Sequence, residues 1–362
     1  MILPTFRARL PTLGTLSERF YLSLYNRQVT NLKYVQRFER HVTRYVGVPS
    51  LAFCNGQTAL TTMLLAAGIG PGDEVIVPSF TFCGTIAAIR LIGATPVFAE
   101  IREDRLTVDY RDVAERMSET TRAILGVDVY GICCDYAHLS DIAECYRRPL
   151  LFDSAPSFGS MINAFPTGRY GTAQIFSLHI SKPFTTMEGG LLCSKDPEFF
   201  ERARQIRDFG QDDARNCNHV GLNGKMLEIC GMIGVENLKD WPSYRHKRTF
   251  ACFEFLTYLR RIKGIRTIEL TDGQWPSWTY LPILVTEDFG KSRDAVLAHL
   301  QEKNIMARKY YTACHMMKPF ANGQRLPITE RIASQAIALP IYPDMTGEEM
   351  EYIADALKGS AQ

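Results

Sequence analysis

Phe176-Ser177-Leu178-His179-Ile180-Ser181-Lys182-Pro183-Phe184-Thr185-Thr186-Met187-Glu188-Gly189-Gly190 decides how this chain is read. A short apolar strand runs into one lysine, then into a turn of small residues, then into the apolar Leu191-Leu192-Cys193. A charged lysine between two strands that read as buried costs desolvation energy. Burial therefore lowers its pKa and frees the amine for nucleophilic chemistry. Upstream, Phe152-Asp153-Ser154-Ala155 sets a carboxylate at the end of another apolar strand.

Strand and helix signals alternate around these two segments from about residue 30 to 210. Tyr34 to Tyr45 has helical spacing, and Ser50 to Phe53 is a strand entering Cys54-Asn55-Gly56-Gln57-Thr58. A helix is expected from Ala59 to Ala67, a strand over Glu74-Val75-Ile76-Val77-Pro78, and a helix from Cys83 to Ile92. Thr95 to Ala99, Ala123 to Val127 and Pro149 to Phe152 are further strands. Short continuous apolar runs between helices predict an α/β fold with a buried, mostly parallel sheet. In such sheets ligands sit beyond the carboxyl ends of the strands. That rule places Asn55, Phe82, Asp153 and Lys182 at one rim.

After about residue 240 the texture changes. Trp241-Pro242 breaks the pattern, and Arg245 to Arg261 reads as a long helix. Trp278 to Val285 and Met306-Ala307-Arg308 read as strands of a smaller α+β unit, and Thr346 to Leu357 as an amphipathic helix with a capping-type start. The expected organisation is a large domain over residues 1–240 and a small one over 241–362.

Composition narrows the function classes. The 362 residues include 41 basic and 39 acidic ones, for a net charge of +2, which gives no reason to expect nucleic acid or a membrane surface as partner. Ten cysteines without a CxxC pair read as buried thiols of a reducing compartment rather than a zinc site. The first ten residues have no apolar core of a secretory signal, and Leu51 to Gly72 is too rich in polar residues, glycine and proline for a membrane span. A cytoplasmic enzyme is expected.

Asn55-Gly56-Gln57-Thr58 stands between a strand and a helix, where free backbone N–H groups bind phosphate. Phe82 could lay its ring on a flat ligand, and Ser177 could add a hydroxyl. Each has a plainer reading alone: a turn, a core aromatic, a surface serine, a helix cap at Asp153, a snorkelling Lys182. In this order they fit one ligand. A Schiff-base lysine and a carboxylate facing a pyridinium nitrogen are the two protein groups that pyridoxal phosphate (PLP) needs.

The chain resembles the DegT/DnrJ/EryC1/StrS family of sugar aminotransferases, within the fold-type I PLP enzymes. The markers are Phe38-Glu39, Asn55-Gly56, Val77 to Phe82, Gly93 to Phe98, Tyr130-Gly131, Asp153-Ser154-Ala155, Ser177 to Lys182 with Glu188-Gly189-Gly190, Gly221 to Met226, and Leu339 to Tyr342. The resemblance implies that Lys182 holds the cofactor and moves the substrate proton, while Asp153 keeps the pyridine nitrogen protonated. It implies that Phe82 and Ala155 sandwich the ring. Gly56, the amides of Gln57 and Thr58, and the Ser177 hydroxyl would bind the phosphate. Asn223 would reach the cofactor of a neighbouring subunit, which implies a homodimer with shared sites. Arg308, Tyr310, Tyr311 and His315 are expected to close over the substrate.

Four positions depart from the family pattern: Pro156 where Gln or His contacts the ring hydroxyl, Asp128 for His, Lys225 for Arg, and Gln57 for Thr. The expected reaction moves an amino group, by analogy from glutamate, to a keto sugar linked to a nucleotide. A keto cyclitol acceptor and a non-catalytic sensor or scaffold are the alternatives. Dehydration is disfavoured, because relatives doing that carry histidine in place of the lysine. No metal is expected.

Overall fold

The computed structural model describes residues 2–271 and 273–361. Its strands are β1 (Ser50–Phe53), β2 (Glu74–Pro78), β3 (Thr95–Ala99), β4 (Thr121–Val127), β5 (Leu150–Asp153), β6 (Met161–Ile162), β7 (Phe165–Pro166), β8 (Ala173–Ser177), β9 (Gly190–Cys193), β10 (Ile265–Thr267), β11 (Gln274–Trp275), β12 (Leu281–Val285) and β13 (Ala336–Leu339). The helices are α1 (Leu13–Tyr25), α2 (Lys33–Val46), α3 (Gly56–Ala66), α4 (Cys83–Leu91), α5 (Tyr110–Arg116), α6 (Tyr136–Tyr146), α7 (Pro197–Arg207), α8 (Glu228–Lys239), α9 (Trp241–Leu259), α10 (Arg293–Glu302), α11 (Pro327–Gln335) and α12 (Gly347–Ser360).

The apolar runs of the first half build one seven-stranded sheet in the order β1-β9-β8-β5-β4-β2-β3. All neighbours from β8 to β3 pair in parallel, and β9 alone runs against both of its neighbours. Every residue of β1, β5 and β9 is buried, as strands covered on both faces require. A three-stranded antiparallel sheet, β10-β12-β13, follows later in the chain. Its buried side chains belong to the same apolar cluster as those of α3, β2 and β4.

Local chemistry sets the ends of the elements. α3 starts at Gly56, three residues before the expected start at Ala59, because the Asn55 side chain accepts the Thr58 N–H at 2.8 Å and caps the helix. Trp241-Pro242 opens α9 instead of breaking the pattern before it. A proline in the first turn has no N–H to lose there. The run expected as a strand at Met306-Ala307-Arg308 makes only an isolated bridge from Arg308 to Ala338. Thr346 and Glu349 close a reciprocal capping box at the start of α12. α1 carries no strong sequence signal and appears only in the structure.

The Phe38-Glu39 marker has a structural role. Phe38 is buried in α2, and Glu39 accepts the Ala52 N–H and pairs with Arg207, tying α2 and α7 to β1. Among the described residues no helix is long and apolar enough to cross a membrane, and no cluster of His, Cys, Asp and Glu could hold a metal ion. All ten cysteines are free.

Candidate active site

The carboxyl ends of β1, β2, β5 and β8 open on one cavity of about 350 Å³. Its lining includes Gly56, Gln57, Phe82, Asp153, Ala155, Ser177 and Lys182, so seven of the predicted site residues meet in one place. They come from chain segments more than a hundred residues apart, joined only by the strand order. Thr58 is not in the lining, since its N–H and hydroxyl are both turned to Asn55. Asn223 is exposed and lies outside the cavity, bridged to Asp208.

Asp153 ends β5 and is 5% exposed. Thr85, on α4, donates its hydroxyl to one carboxylate oxygen at 2.6 Å, and the Ala155 N–H donates to the other at 3.1 Å. Two donors on two oxygens fix the direction of the carboxylate. A bond from a hydroxyl to a charged acceptor is worth about 1.5–3 kcal/mol. Burial pushes the Asp153 carboxyl above its ordinary value, against the pull of Thr85, the Ala155 N–H and Lys182. Lys182 sits in the turn after β8, its N–H bonded to the His179 carbonyl. Burial brings its amine down to about 8, with the Asp153 charge pulling the other way. About a tenth of it is therefore uncharged at neutral pH, compared with less than about a thousandth for an ordinary lysine.

At the other end of the cavity the chain comes very close to itself. A Cβ at Gly190 would stand 2.4 Å from the Asn55 carbonyl, and one at Gly56 would stand 3.0 Å from the Ser177 Cβ. Glycine at both places lets β9 and the start of α3 close around the Ser177 hydroxyl. The N-terminus of α3 adds its dipole and its unpaired N–H groups. The Gln57 side-chain nitrogen has no partner among the described residues.

Tyr280, Tyr310 and Tyr311 form the opposite wall. The expected closing segment thus divides. Tyr310 and Tyr311 reach the cavity, whereas Arg308 is exposed outside the lining and His315 is buried behind it. His315 serves as a tie: its Nδ1 lies 2.7 Å from the Ser79 hydroxyl, its N–H donates to that hydroxyl at 2.9 Å, and its Nε2 lies 3.3 Å from Glu330. Thr85 is the residue that sequence reasoning missed. The only trace of it is the spacing from Thr81, four residues earlier and just ahead of α4, whose hydroxyl lies 2.8 Å away.

The unusual positions also have places. Asp128 is fully buried behind the cavity and accepts from the Cys134 N–H and from the hydroxyls of Tyr136 and Ser154, so it anchors the Asp153 segment instead of facing a ligand. Lys225 is paired with Asp208 at 2.8 Å. Pro156 lines the cavity, with its carbonyl accepting from Ser277 and Thr279.

The residues present fit PLP. A glycine-shaped cradle with a hydroxyl, a partly neutral amine, an aimed carboxylate, Phe82 and Ala155 line one cavity. Comparison with known proteins agrees. A model of the DegT/DnrJ/EryC1/StrS aminotransferase family matches residues 16–358. The chain is 31% identical over 339 residues to the dTDP-4-amino-4,6-dideoxy-D-glucose transaminase of Shigella dysenteriae, covering 92% of each chain. It is 32% identical over 331 residues to the dTDP-3-amino-3,6-dideoxy-alpha-D-galactopyranose transaminase of Aneurinibacillus thermoaerophilus, covering 89% of each. The crystal structure of DesI in the presence of its TDP-sugar product superposes with a TM-score of 0.92 at 29% identity, over 99% of this chain and 93% of that one.

Proposed function

The chain belongs to the DegT/DnrJ/EryC1/StrS aminotransferase family, and from that premise we propose that it converts a nucleotide-linked keto sugar into an amino sugar, with glutamate as amino donor. Enzymes of this family are PLP-dependent transaminases. The observation that supports the reading best is the pairing, in one cavity, of a partly neutral Lys182 with a buried, doubly hydrogen-bonded Asp153. Nucleotide-linked acceptors are favoured because the relatives named above carry dTDP-sugar names.

PLP, when bound, supplies an electron sink and carries the amino group between two half-reactions. The rest falls to the chain. Lys182 would hold the cofactor, and its amine, lowered by burial, would carry a proton to and from the substrate carbon. Asp153, aimed by Thr85 and the Ala155 N–H, would keep the pyridine nitrogen protonated, and that positive charge would offset the cost of the buried carboxylate. Gly56, the Gln57 N–H and the Ser177 hydroxyl would hold the phosphate, and Phe82 and Ala155 would hold the ring. Thr58, whose N–H already caps α3, contributes through Asn55 rather than through the phosphate.

A second copy of the chain completes the site in this reading. Tyr21, Leu24 and Tyr25 of α1 are exposed, as are Val29, Leu32 and Leu227. Val29 to Asn31 is bonded along Met226 to Glu228, so these apolar residues border the segment that carries Asn223. Phe82 is itself 57% exposed at the cavity mouth. A homodimer across this face would cover both and bring the partner copy's Asn223 to the phosphate.

The test is turnover. Protein loaded with PLP and glutamate is offered keto sugars, free and nucleotide-linked, and keto cyclitols, with products read by mass spectrometry. The expected product is an amino sugar on its nucleotide, and sedimentation of the loaded protein should give a dimer. Turnover of cyclitols alone would replace the substrate assignment. A bound cofactor that responds to no amino donor would leave a sensor or scaffold. A monomer that turns over normally would remove the shared site.

A further inference from the structure

Pro156 leaves one cofactor contact without a protein group. It has no side-chain donor and no N–H, and its carbonyl already accepts from Thr279 at 2.6 Å and Ser277 at 3.1 Å. The following inference rests on the assignment of the cavity to PLP.

The cavity has a direction set by the sheet. Gly56 and Ser177 follow or end β1 and β8 on one side of β5, and Asp153 ends β5. On the far side, beyond β4 and β2, stand Tyr130 and Phe80. In pyridoxal phosphate the phosphate arm and the ring hydroxyl flank the carbonyl-bearing carbon on opposite sides. With the phosphate at Gly56 and Ser177 and the ring nitrogen at Asp153, the hydroxyl is directed toward the β4 and β2 side.

Tyr311 stands on that side. Its ring packs edge-on against Phe80 at 5.8 Å, tilted on Tyr130 at 5.3 Å and stacked on Tyr310 at 5.2 Å, so the side chain has little freedom. It is 6% exposed and lines the cavity. The neighbouring hydroxyl of Tyr130 donates to the Tyr310 carbonyl, and the Tyr280 hydroxyl has Ser181 beside it. The Tyr311 hydroxyl has no hydrogen-bond partner among the described residues. A tyrosine held this tightly with its polar end unpaired is a group waiting for a ligand. Burial first, then the neighbouring Tyr130, Tyr280, Asp153 and Tyr310, hold its proton on well above the ordinary tyrosine range, so it serves as a neutral donor.

We propose that the Tyr311 hydroxyl donates the hydrogen bond to the ring hydroxyl oxygen of the cofactor, the contact that Pro156 cannot make. In this role Tyr311 is a cofactor-contacting residue that tunes how firmly a proton stays on the Lys182 nitrogen. The ring oxygen and that nitrogen share one proton when the cofactor is attached. A donor on the oxygen draws off its charge and loosens the proton.

The experiment loads wild type, Tyr311→Phe and, as a control, Tyr280→Phe with pyridoxal phosphate and follows the visible absorbance band against pH. Tyr311→Phe removes a hydroxyl that the folded chain does not use, so its melting temperature before loading should match wild type. Loss of one hydrogen bond to the oxygen should raise the midpoint of the band's pH transition by about one unit, a change of about tenfold in the equilibrium. Tyr280→Phe should leave the midpoint in place. An unmoved midpoint in loaded Tyr311→Phe overturns the assignment. So does an unmoved midpoint combined with a raised KM for the keto sugar, which would give the hydroxyl to the substrate. Wild-type protein that takes up no cofactor at Lys182 would defeat the site reading itself. A loaded variant with an unmoved midpoint defeats only the role of Tyr311.

Discussion

The floor and the roof of the cavity are built in different ways. The floor consists of strand ends and the turns that follow them: Asn55 to Gln57 after β1, Asp153 to Ala155 after β5, Ser177 and Lys182 at and after β8. Two of its polar groups are fixed by bonds of short reach, Ala155 N–H to Asp153 and Thr58 N–H to Asn55, and Asp153 takes one longer tie, from Thr85. The roof, with Tyr280, Tyr310 and Tyr311, is held by side-chain packing and by ties across more than two hundred residues, above all His315 to Ser79. A floor made from strand ends keeps the groups that the chemistry needs. A roof tied from elsewhere sets what reaches those groups from the far side, Tyr311 included.

This contrast can be broken by substitution. The largest effect is expected at Asp153. Asp153→Asn keeps an acceptor oxygen for the Ala155 N–H and turns its amide to the Thr85 hydroxyl, which can accept instead, but it cannot carry the charge that would face the pyridine nitrogen. kcat/KM should fall by about 10²–10³-fold. The melting temperature of the cofactor-free chain should hold or rise, because burial already pushes this carboxyl up and the amide removes a desolvated charge. A parallel loss of fold would show the floor to be a structural element first.

A smaller effect is expected in the roof. Ser79→Ala strands two buried groups of His315, its N–H and Nδ1. The cost should be about 1–3 kcal/mol of stability. KM for the keto sugar should rise by roughly tenfold as the tyrosine segment loosens, equivalent to about 1.4 kcal/mol. Cofactor attachment at Lys182 should persist. If attachment collapses too, floor and roof are one unit and the contrast fails.

The same division explains what could be read in the sequence. Floor residues follow apolar runs that announce strands, so Asn55, Phe82, Asp153 and Lys182 could be placed at one rim from patterning alone. The parallel sheet was legible for the same reason, and the family resemblance supplied the roles. The cap at Asn55 was harder to read, because a side chain bonding its own helix leaves no periodic signal. Thr85 was missed because its importance lies in a bond across 68 residues to Asp153. His315 was expected over the substrate, yet it is buried behind the wall, since a histidine in an irregular segment carries no sign of which way it faces. Trp241-Pro242 misled in the other direction: a proline reads as a break until it is seen to occupy a first helical turn.

The most direct measurement is covalent capture at Lys182. Protein incubated with PLP is reduced with borohydride at a series of pH values, digested, and mapped by mass spectrometry. The amine is lowered to about 8 by burial, so below that pH most of it is charged and unreactive, and above it most is free. The label is predicted on Lys182 alone. Its rate of formation should climb with pH and level off above about 8, whereas an ordinary lysine would go on gaining reactivity toward about 10.4. Label spread over surface lysines, or none at Lys182, would contradict the assignment of this cavity.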